Sequence, residues 1–507
     1  MVWVVVAAGA MCAVAALRLP GGAARPEMAS FPVLACVAAL AVAAGIAYAG
    51  RRGGVGVWTV VGVLVAGAAG WSGYLAWVDH ASGVPGSASA VLAVASVGVG
   101  LGVLGCLVVR RSGGVVSGVV AGVVAGVVVG AAVAAGFVAP GLPVRAGTAP
   151  RAAAPPVAEA PGEGAWTWRT DGLREVVAAG TGVVAASGRA EVTALDGRTG
   201  DIRWRYARTG ALVRNLIATP DRALVLAAFA PSGPDARDTE LLVTFDATTG
   251  VVLDERPVDG LDTDDGFLAV TNTVRPVRER GGEDRPTTAY DLRTGEARWT
   301  WTPPEGCTSP FMLAASTADA VMVTQRCPDG LSLLALDDRT GEPRWTHPAP
   351  SADSTFYPHS DADGRLLAVR ANARPVTLLR VSDGSTVTTT DESVNPAAVP
   401  LLTTDMGEPT AVIDPGTGET TDLPQPACPD PVAATSTPST LLYRCGDAVV
   451  THGLPAGSPV SRPLPELPAV DHGTFANRPL STRLLAAPGA VVVATAAESA
   501  VTGYPGK

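Results

Sequence analysis

The chain carries two hydrophobic patterns that meet near residue 139. Before that point the apolar residues run almost unbroken, at roughly 2–17, 29–50, 54–78, 85–109 and 114–139. The last four runs each exceed the ~18–20 apolar residues that a helix needs to cross a bilayer. The first is shorter and opens at Met1-Val2-Trp3, so it is either a short span or the end of a longer one. It lacks the basic n-region of a cleaved signal peptide. Beyond residue 165 the apolar residues fall into short stretches rich in Val, Ala and Ile, broken by glycine-containing turns, which is the pattern of strands. The first such group covers 174–179, 182–187, 190–196 and 202–207. Between the two patterns lie Pro140, Pro143, Pro150, Pro155, Pro156 and Pro161 among alanines and glycines. That composition predicts a semi-extended spacer. The expected organisation is a helical membrane domain of about five spans at 1–139, a linker at 140–164 and an all-β domain at 165–507.

Charge orients this arrangement. The spans and their loops hold six arginines (Arg18, Arg25, Arg51, Arg52, Arg110, Arg111) and two acids (Glu27, Asp79), whereas the whole chain of 507 residues carries a net charge of −10. Arg51-Arg52 and Arg110-Arg111 occupy alternate loops, and the positive-inside rule puts both in the cytoplasm. Asp79 and His80, between the third and fourth runs, then lie outside, and so does everything after the fifth. Arg18 and Arg25 fall on the outer side, against the rule, but two double-arginine loops outweigh them. The domain beyond the spans is strongly acidic, which excludes nucleic acid as a partner. Gly114, Gly118, Gly122, Gly126 and Gly130 form a bare stripe on the fifth run, suited to close helix packing within the bundle or to a homodimer seam. The partner of residues 1–139 is the lipid bilayer of the cytoplasmic membrane.

Internal repeats define the second domain. Ala194–Trp204 (ALDGRTGDIRW), Ala289–Trp299 (AYDLRTGEARW) and Ala335–Trp345 (ALDDRTGEPRW) fit one pattern, Ala-x-Asp-x-x-Thr-Gly-x-x-x-Trp. A copy at Thr244–Asp254 (TFDATTGVVLD) lacks the tryptophan, and fainter copies lie at 381–384 and 413–418. The motif aspartates Asp196, Asp246, Asp291 and Asp337 stand 50, 45 and 46 residues apart, a period that suits four-stranded propeller blades. The motif chemistry is structural. An Asp at a strand end accepts turn amides, and Gly200, Gly250, Gly295 and Gly341 supply the turn that follows. Trp204, Trp299 and Trp345 sit on the next, outer strand, placed to pack on a neighbouring blade.

These repeats resemble the tryptophan-docking motif of pyrroloquinoline quinone (PQQ)-type propellers. The resemblance covers about 165–507, strongly in its first half and weakly after 380, and it implies the fold rather than the quinone. About 343 residues at ~40–45 per blade give seven or eight blades. Trp166-Thr167-Trp168 looks like an outer strand without its blade, and Val491–Tyr504 like inner strands without an outer one. Pairing them would close the ring and remove exposed edges, which favours eight.

Four cysteines beyond the spans form two pairs. Cys307 and Cys327 are centred on a hairpin turn near 317, and Cys428 and Cys445 on one near 436–437. Residues equidistant from a hairpin turn face each other, so two disulfides are expected in an oxidising exterior. Cys12, Cys36 and Cys106 lie within the apolar runs and read as packing residues.

Other candidate chemistry is thin. The acidic loop Asp259, Asp262, Asp264, Asp265, Gly266 lacks the ligand register of a calcium loop. Asp361-Ala362-Asp363-Gly364 reads as a hairpin turn. His347, His359, His452 and His472 show no ligand spacing, and no nucleophile turn or phosphate loop occurs. The leading expectation is therefore a non-catalytic, cofactor-free extracytoplasmic module that binds, senses or scaffolds a protein, peptide or envelope polymer. The alternative is a membrane-bound PQQ-dependent dehydrogenase with calcium, because the quinone-linked glucose dehydrogenases also place five helices before a PQQ propeller. Against it stand the lack of room for long inter-blade insertions and the absence of an adjacent Cys-Cys pair. A third reading, an assembly accessory resembling the propeller that scaffolds outer-membrane protein insertion in other bacteria, rests on fold analogy.

Overall fold

The computed structural model describes residues 143–506 apart from 232–238, 260–268, 279–285, 310–314, 350–355, 372–374, 396–398, 404–408, 424–432, 455–456, 458, 465–481 and 497, together with scattered positions between 74 and 94. The apolar runs read as spans, the glycine stripe and Cys12, Cys36 and Cys106 lie outside these residues, apart from those scattered positions. Among the described residues no helix is long and apolar enough to cross a membrane.

The β-domain is a ring of eight antiparallel sheets, the larger of the two blade numbers expected. Blade 1 has strands Leu173–Ala179, Gly182–Ser187, Glu191–Asp196 and Ile202–Arg208, from the axis outward. Blade 2 follows with Ala211–Ala218, Leu224–Pro231, Thr239–Asp246 and Val252–Asp259. Blades 3 and 4 show three strands each among the described residues, ending at Ala297–Trp301 and Pro343–Pro348. Blades 5, 6 and 7 occupy 356–390, 393–422 and 433–463. Blade 8 takes Arg483–Ala487, Ala490–Thr495 and Ala500–Pro505 from the end of the chain and its outer strand, Trp166–Arg169, from the beginning. That pairing, Trp166 opposite Gly503 through Arg169 opposite Ala500, is the closure expected from the two incomplete ends.

The second strand of each blade explains why Val and Ala dominate. It is covered on both faces by the neighbouring blades, so alternation disappears and every residue of Gly182–Ser187, Leu224–Pro231 and Ala490–Thr495 is buried. Branched and small side chains pack well on such a two-sided surface. The core is thus a series of inter-blade clusters rather than one centre. The one between blades 1 and 2 gathers Val184, Trp204, Tyr206, Phe229, Val243 and Phe245.

The ring has two faces. One, the motif face, carries the motif turns and the turns between inner and second strands. The other, the crossover face, carries the links from each outer strand to the next inner strand. The proline-rich stretch is extended from Pro143 to Gly164 and runs from the crossover face to the motif face. Val144–Gly147 pairs with Ile202–Arg208 as a fifth strand of blade 1. The chain then crosses the motif face: Ala149 N–H donates to Thr249 O at 2.9 Å, Gly489 N–H donates to Pro156 O at 2.9 Å, and Ala158 N–H donates to Ala487 O at 3.0 Å. Bridges at Val157–Pro488 and Pro161–Gly506 complete a strap over the seam where the ring closes.

Candidate functional site

Each motif turn is built the same way. Asp246 Oδ1 accepts the Thr248 and Thr249 amides at 3.1 and 3.0 Å, and Asp337 Oδ1 accepts those of Arg339 and Thr340 at 2.9 and 3.0 Å. Asp196 and Asp291 do the same with Arg198 and Thr199, and with Arg293 and Thr294. The fainter copy at Asp414 keeps the geometry, accepting from Gly416 and Thr417 at 2.8 and 2.7 Å. The second oxygen of Asp291 is taken by Arg298, and that of Asp337 by Arg344. Partial burial works against ionisation at Asp291 and Asp337, but these amides and guanidinium groups outweigh it and hold both carboxyls below their usual range. The motif carboxylates are engaged in turns and ion pairs.

The tryptophans join one blade to the next. Trp204 Nε1–H donates to Ala247 O of blade 2 at 2.8 Å, Trp299 to Asp338 O of blade 4 at 2.9 Å, and Trp345 to Val381 O of blade 5 at 2.8 Å. The ring of each lies flat on the motif glycine of the neighbour. A Cβ at Gly250 would stand 2.5 Å from the Trp204 indole, and its φ of 72° is in the left-handed region that favours glycine. Only Trp204 is fully buried; Trp299 and Trp345 are partly exposed. Trp166, which carries no motif of its own, docks in the same way, donating to Gly197 O at 2.8 Å and covering Gly200. Between blades 2 and 3, where the tryptophan is missing, Arg256 lies over Gly295. Asp254 holds its guanidinium with two bonds at 2.7 and 3.0 Å. The Tyr290 ring sits between Arg256 and the buried Arg275, at 5.1 and 5.6 Å. Burial first, then the nearby Arg256 charge, lowers the Arg275 pKa to about 10.

The opening at the axis is bridged on the motif face. Inner turns are stitched from blade to blade: Gly180 N–H to Arg222 O at 3.0 Å, Asp221 N–H to Asn272 Oδ1 at 2.8 Å, Asn272 N–H to Ala318 O at 3.1 Å and Ala318 N–H to Gly364 O at 2.8 Å. Arg222 of blade 2 reaches Asp363 of blade 5 at 3.4 Å. With blades 3 and 4 lying between its two partners, this bond runs as a chord across the mouth. Lower in the channel, Glu175 and Arg483 pair at 2.6 Å across blades 1 and 8, and burial raises the Glu175 carboxyl above its usual range.

Beside the chord lies Asp361, the buried member of the turn. Burial raises its pKa to about 6, against the amides of Leu366 and Arg365 that its Oδ1 accepts. A carboxyl raised in the folded state stabilises below its unfolded value of 3.8 and loses that contribution as pH rises through about 6. The loss is on the order of 2–3 kcal/mol. Asp361→Asn is expected to remove it. The stability difference between variant and wild type, followed by urea unfolding from pH 4 to pH 7, should therefore shift in the variant's favour as pH rises. A difference independent of pH would refute the assignment. Asp291 and Asp337, whose pKa values are lowered, act in the opposite direction, stabilising at neutral pH and losing that effect as they protonate in acid.

Cys307 and Cys327 form a disulfide, beside an antiparallel bridge between Thr308 and Arg326. This is the register expected from a turn at 317. Cys445 is also disulfide-bonded, but its expected partner, Cys428, lies outside the described residues. The ladder pairs Ala433 with Arg444 and Ser436 with Leu441, so the hairpin is centred between 438 and 439 rather than at 436–437. The turn therefore lies later than expected. The acidic loop from Asp262 to Gly266 and His472 are likewise outside the described residues, and among the described residues no group of three or more His, Cys, Asp or Glu side chains is placed to hold a metal ion.

Fold and seams together define an eight-bladed propeller of tryptophan-docked repeats. The family model described as outer membrane protein assembly factor BamB matches residues 156–254 and 242–406. Among solved structures, BamB from Moraxella catarrhalis is similar at 17% identity, with a TM-score of 0.41, covering 67% of this chain and 98% of that one. A computationally designed protein, Ika8, is similar at 12% identity and a TM-score of 0.40, covering 69% and 100%. No curated protein matches the chain.

Proposed function

We propose that this chain is a membrane-anchored propeller whose β-domain stands outside the cytoplasmic membrane and binds a protein, peptide or envelope polymer without chemistry of its own. The observation that carries this reading is the use made of the repeats. Their aspartates bond turn amides and their indoles bond the next blade, so the motif builds a rigid ring that presents its surface for binding. The match to the BamB family model supports a protein-binding or scaffolding role. The apolar runs before residue 139 and their double-arginine loops support anchoring and orientation. The Cys307–Cys327 disulfide fits an oxidising compartment.

Two arms test this. A membrane-impermeant maleimide added to intact spheroplasts is expected to label an Asp447→Cys variant, and labelling only after lysis would place the domain inside. A photo-crosslinker at the exposed turn residue Arg339, used in intact cells, should give one discrete adduct. No adduct from that or other motif-face positions would contradict a binding role for this face.

A further inference from the structure

Two distant parts of the chain meet at one corner of the propeller. The corner is the crossover from blade 1 to blade 2, at Arg208, Thr209 and Gly210. Pro143 O accepts the Thr209 amide at 2.9 Å, and Val144 pairs with Arg208 as the fifth strand begins. The fifth apolar run ends at about residue 139, and the few residues from there to Pro143 reach at most ~14 Å. Pro143, which follows that run, is thus seated at this corner.

The second part is the loop between the third and fourth apolar runs. Gly83 N–H donates to His80 O at 3.1 Å, forming a turn, and Gly83 is buried. Gly83 and Gly210 face each other with φ of 76° and 83°. A Cβ on Gly83 would lie 2.4 Å from Thr209 O, and one on Gly210 would lie 2.5 Å from Ala81 O. Backbones approach this closely only where side chains are absent. The contact is also polar. Arg208, fully buried, donates through Nη1 to Gly83 O at 3.2 Å, through Nη2 and Nε to Tyr206 Oη at 2.9 and 3.2 Å, and through Nη2 to Glu255 of blade 2. One guanidinium thus ties the 80–83 turn to both blades. Burial, more than the neighbouring charges, pushes the Tyr206 phenol up to about 12, so it stays protonated.

We propose that the 80–83 turn and the blade 1–blade 2 corner form a fixed seat that turns the crossover face of the propeller toward the bilayer headgroups and the motif face away. This rests on the anchoring reading above. The double-arginine loops put both stretches outside, and the residues that meet the crossover side of this corner are Ala81 and Gly83 from the first and Pro143, which follows the fifth run. The strap then carries the chain up blade 1 and over the far face. The two disulfides, at the ends of equivalent second strands in blades 4 and 7, lie on the membrane side. The strands between the faces span six to eight residues in blades 1 and 2, so the two faces are ~20–25 Å apart.

The test uses the full chain in phosphatidylcholine–phosphatidylglycerol vesicles containing a headgroup nitroxide lipid, with Cys12, Cys36 and Cys106 replaced by alanine. Single fluorophores go on the crossover face, at Asp329→Cys and Asp447→Cys, and on the motif face, at Arg293→Cys and Arg339→Cys. Quenching should be several-fold stronger on the crossover face. Gly83→Val, which lies outside the propeller and collides with Thr209, should erase that contrast while leaving the thermal midpoint of the propeller unchanged. Equal quenching on both faces, stronger quenching on the motif face, or full contrast in Gly83→Val would overturn the seat while the chain stays in carbonate-washed membranes. Release of the chain by the carbonate wash would instead overturn the anchoring reading, and the seat with it.

Discussion

Trp204→Ala is expected to destabilise the propeller by about 3–5 kcal/mol, the usual cost of emptying a large buried aromatic site. Trp204 is 1% exposed and fills the seam between blades 1 and 2. Its ring stacks on Phe245 at a centroid distance of 5.4 Å and lies on Gly250, and its Nε1–H is bonded to Ala247 O. Alanine would leave a cavity that the flanking strands, bonded on both edges, cannot close, and would strip Ala247 O of a donor. Trp204→Phe keeps most of the volume and loses the bond, so its cost should be nearer ~1 kcal/mol. Trp299→Ala and Trp345→Ala should cost less than Trp204→Ala, because those indoles are partly exposed and already lose less surface to water. Urea unfolding ranks the four variants. A loss below ~1 kcal/mol at Trp204 would mean that the indole is not a structural joint.

The second large effect concerns the Cys307–Cys327 bridge. It closes a loop of 20 residues, and constraining a loop of that size in the unfolded chain contributes about 3 kcal/mol. The bridge also fastens the link that enters blade 4 to the end of the strand Ala320–Cys327. Replacing both cysteines by serine should lower the urea midpoint accordingly. Reductant should lower that of the wild type further, since Cys445 is also disulfide-bonded. An unchanged midpoint in the double variant would show that the bridge contributes nothing to folding.

The blade number and the closure were legible in the residues. Motif aspartates at a steady period, an orphan outer strand at Trp166–Arg169 and orphan inner strands near the end of the chain leave little choice of topology. The first disulfide was legible too, because the hairpin turn at 317 is symmetric between its cysteines. The second pair shows the limit of that logic. The turn in blade 7 falls at 437–439, later than the 436–437 midpoint between Cys428 and Cys445. Trp166 escaped notice as a docking residue because its motif is divided between the chain ends; docking there is a property of the closed ring. The replacement of an indole by the Asp254–Arg256 pair follows no repeat pattern. Arg208 and Glu255, 47 residues apart on different blades, carry no local signal at all. The same is true of Arg222 and Asp363, 141 residues apart, whose meeting across the axis depends on the ring being closed. The proline-rich stretch suggested only an extended chain. That it lies on the propeller reflects backbone hydrogen bonds, to which side-chain composition is blind.

A titration separates a binding scaffold from a quinone enzyme. Detergent-solubilised full-length protein is titrated with PQQ at millimolar calcium while quinone absorbance and thermal midpoint are followed together. A binding scaffold should show neither saturable binding nor a rise in midpoint. Tight binding with a large rise, as linkage requires of a ligand held only by the folded state, would contradict it and make the chain a dehydrogenase whose sugar or alcohol substrate is then to be sought.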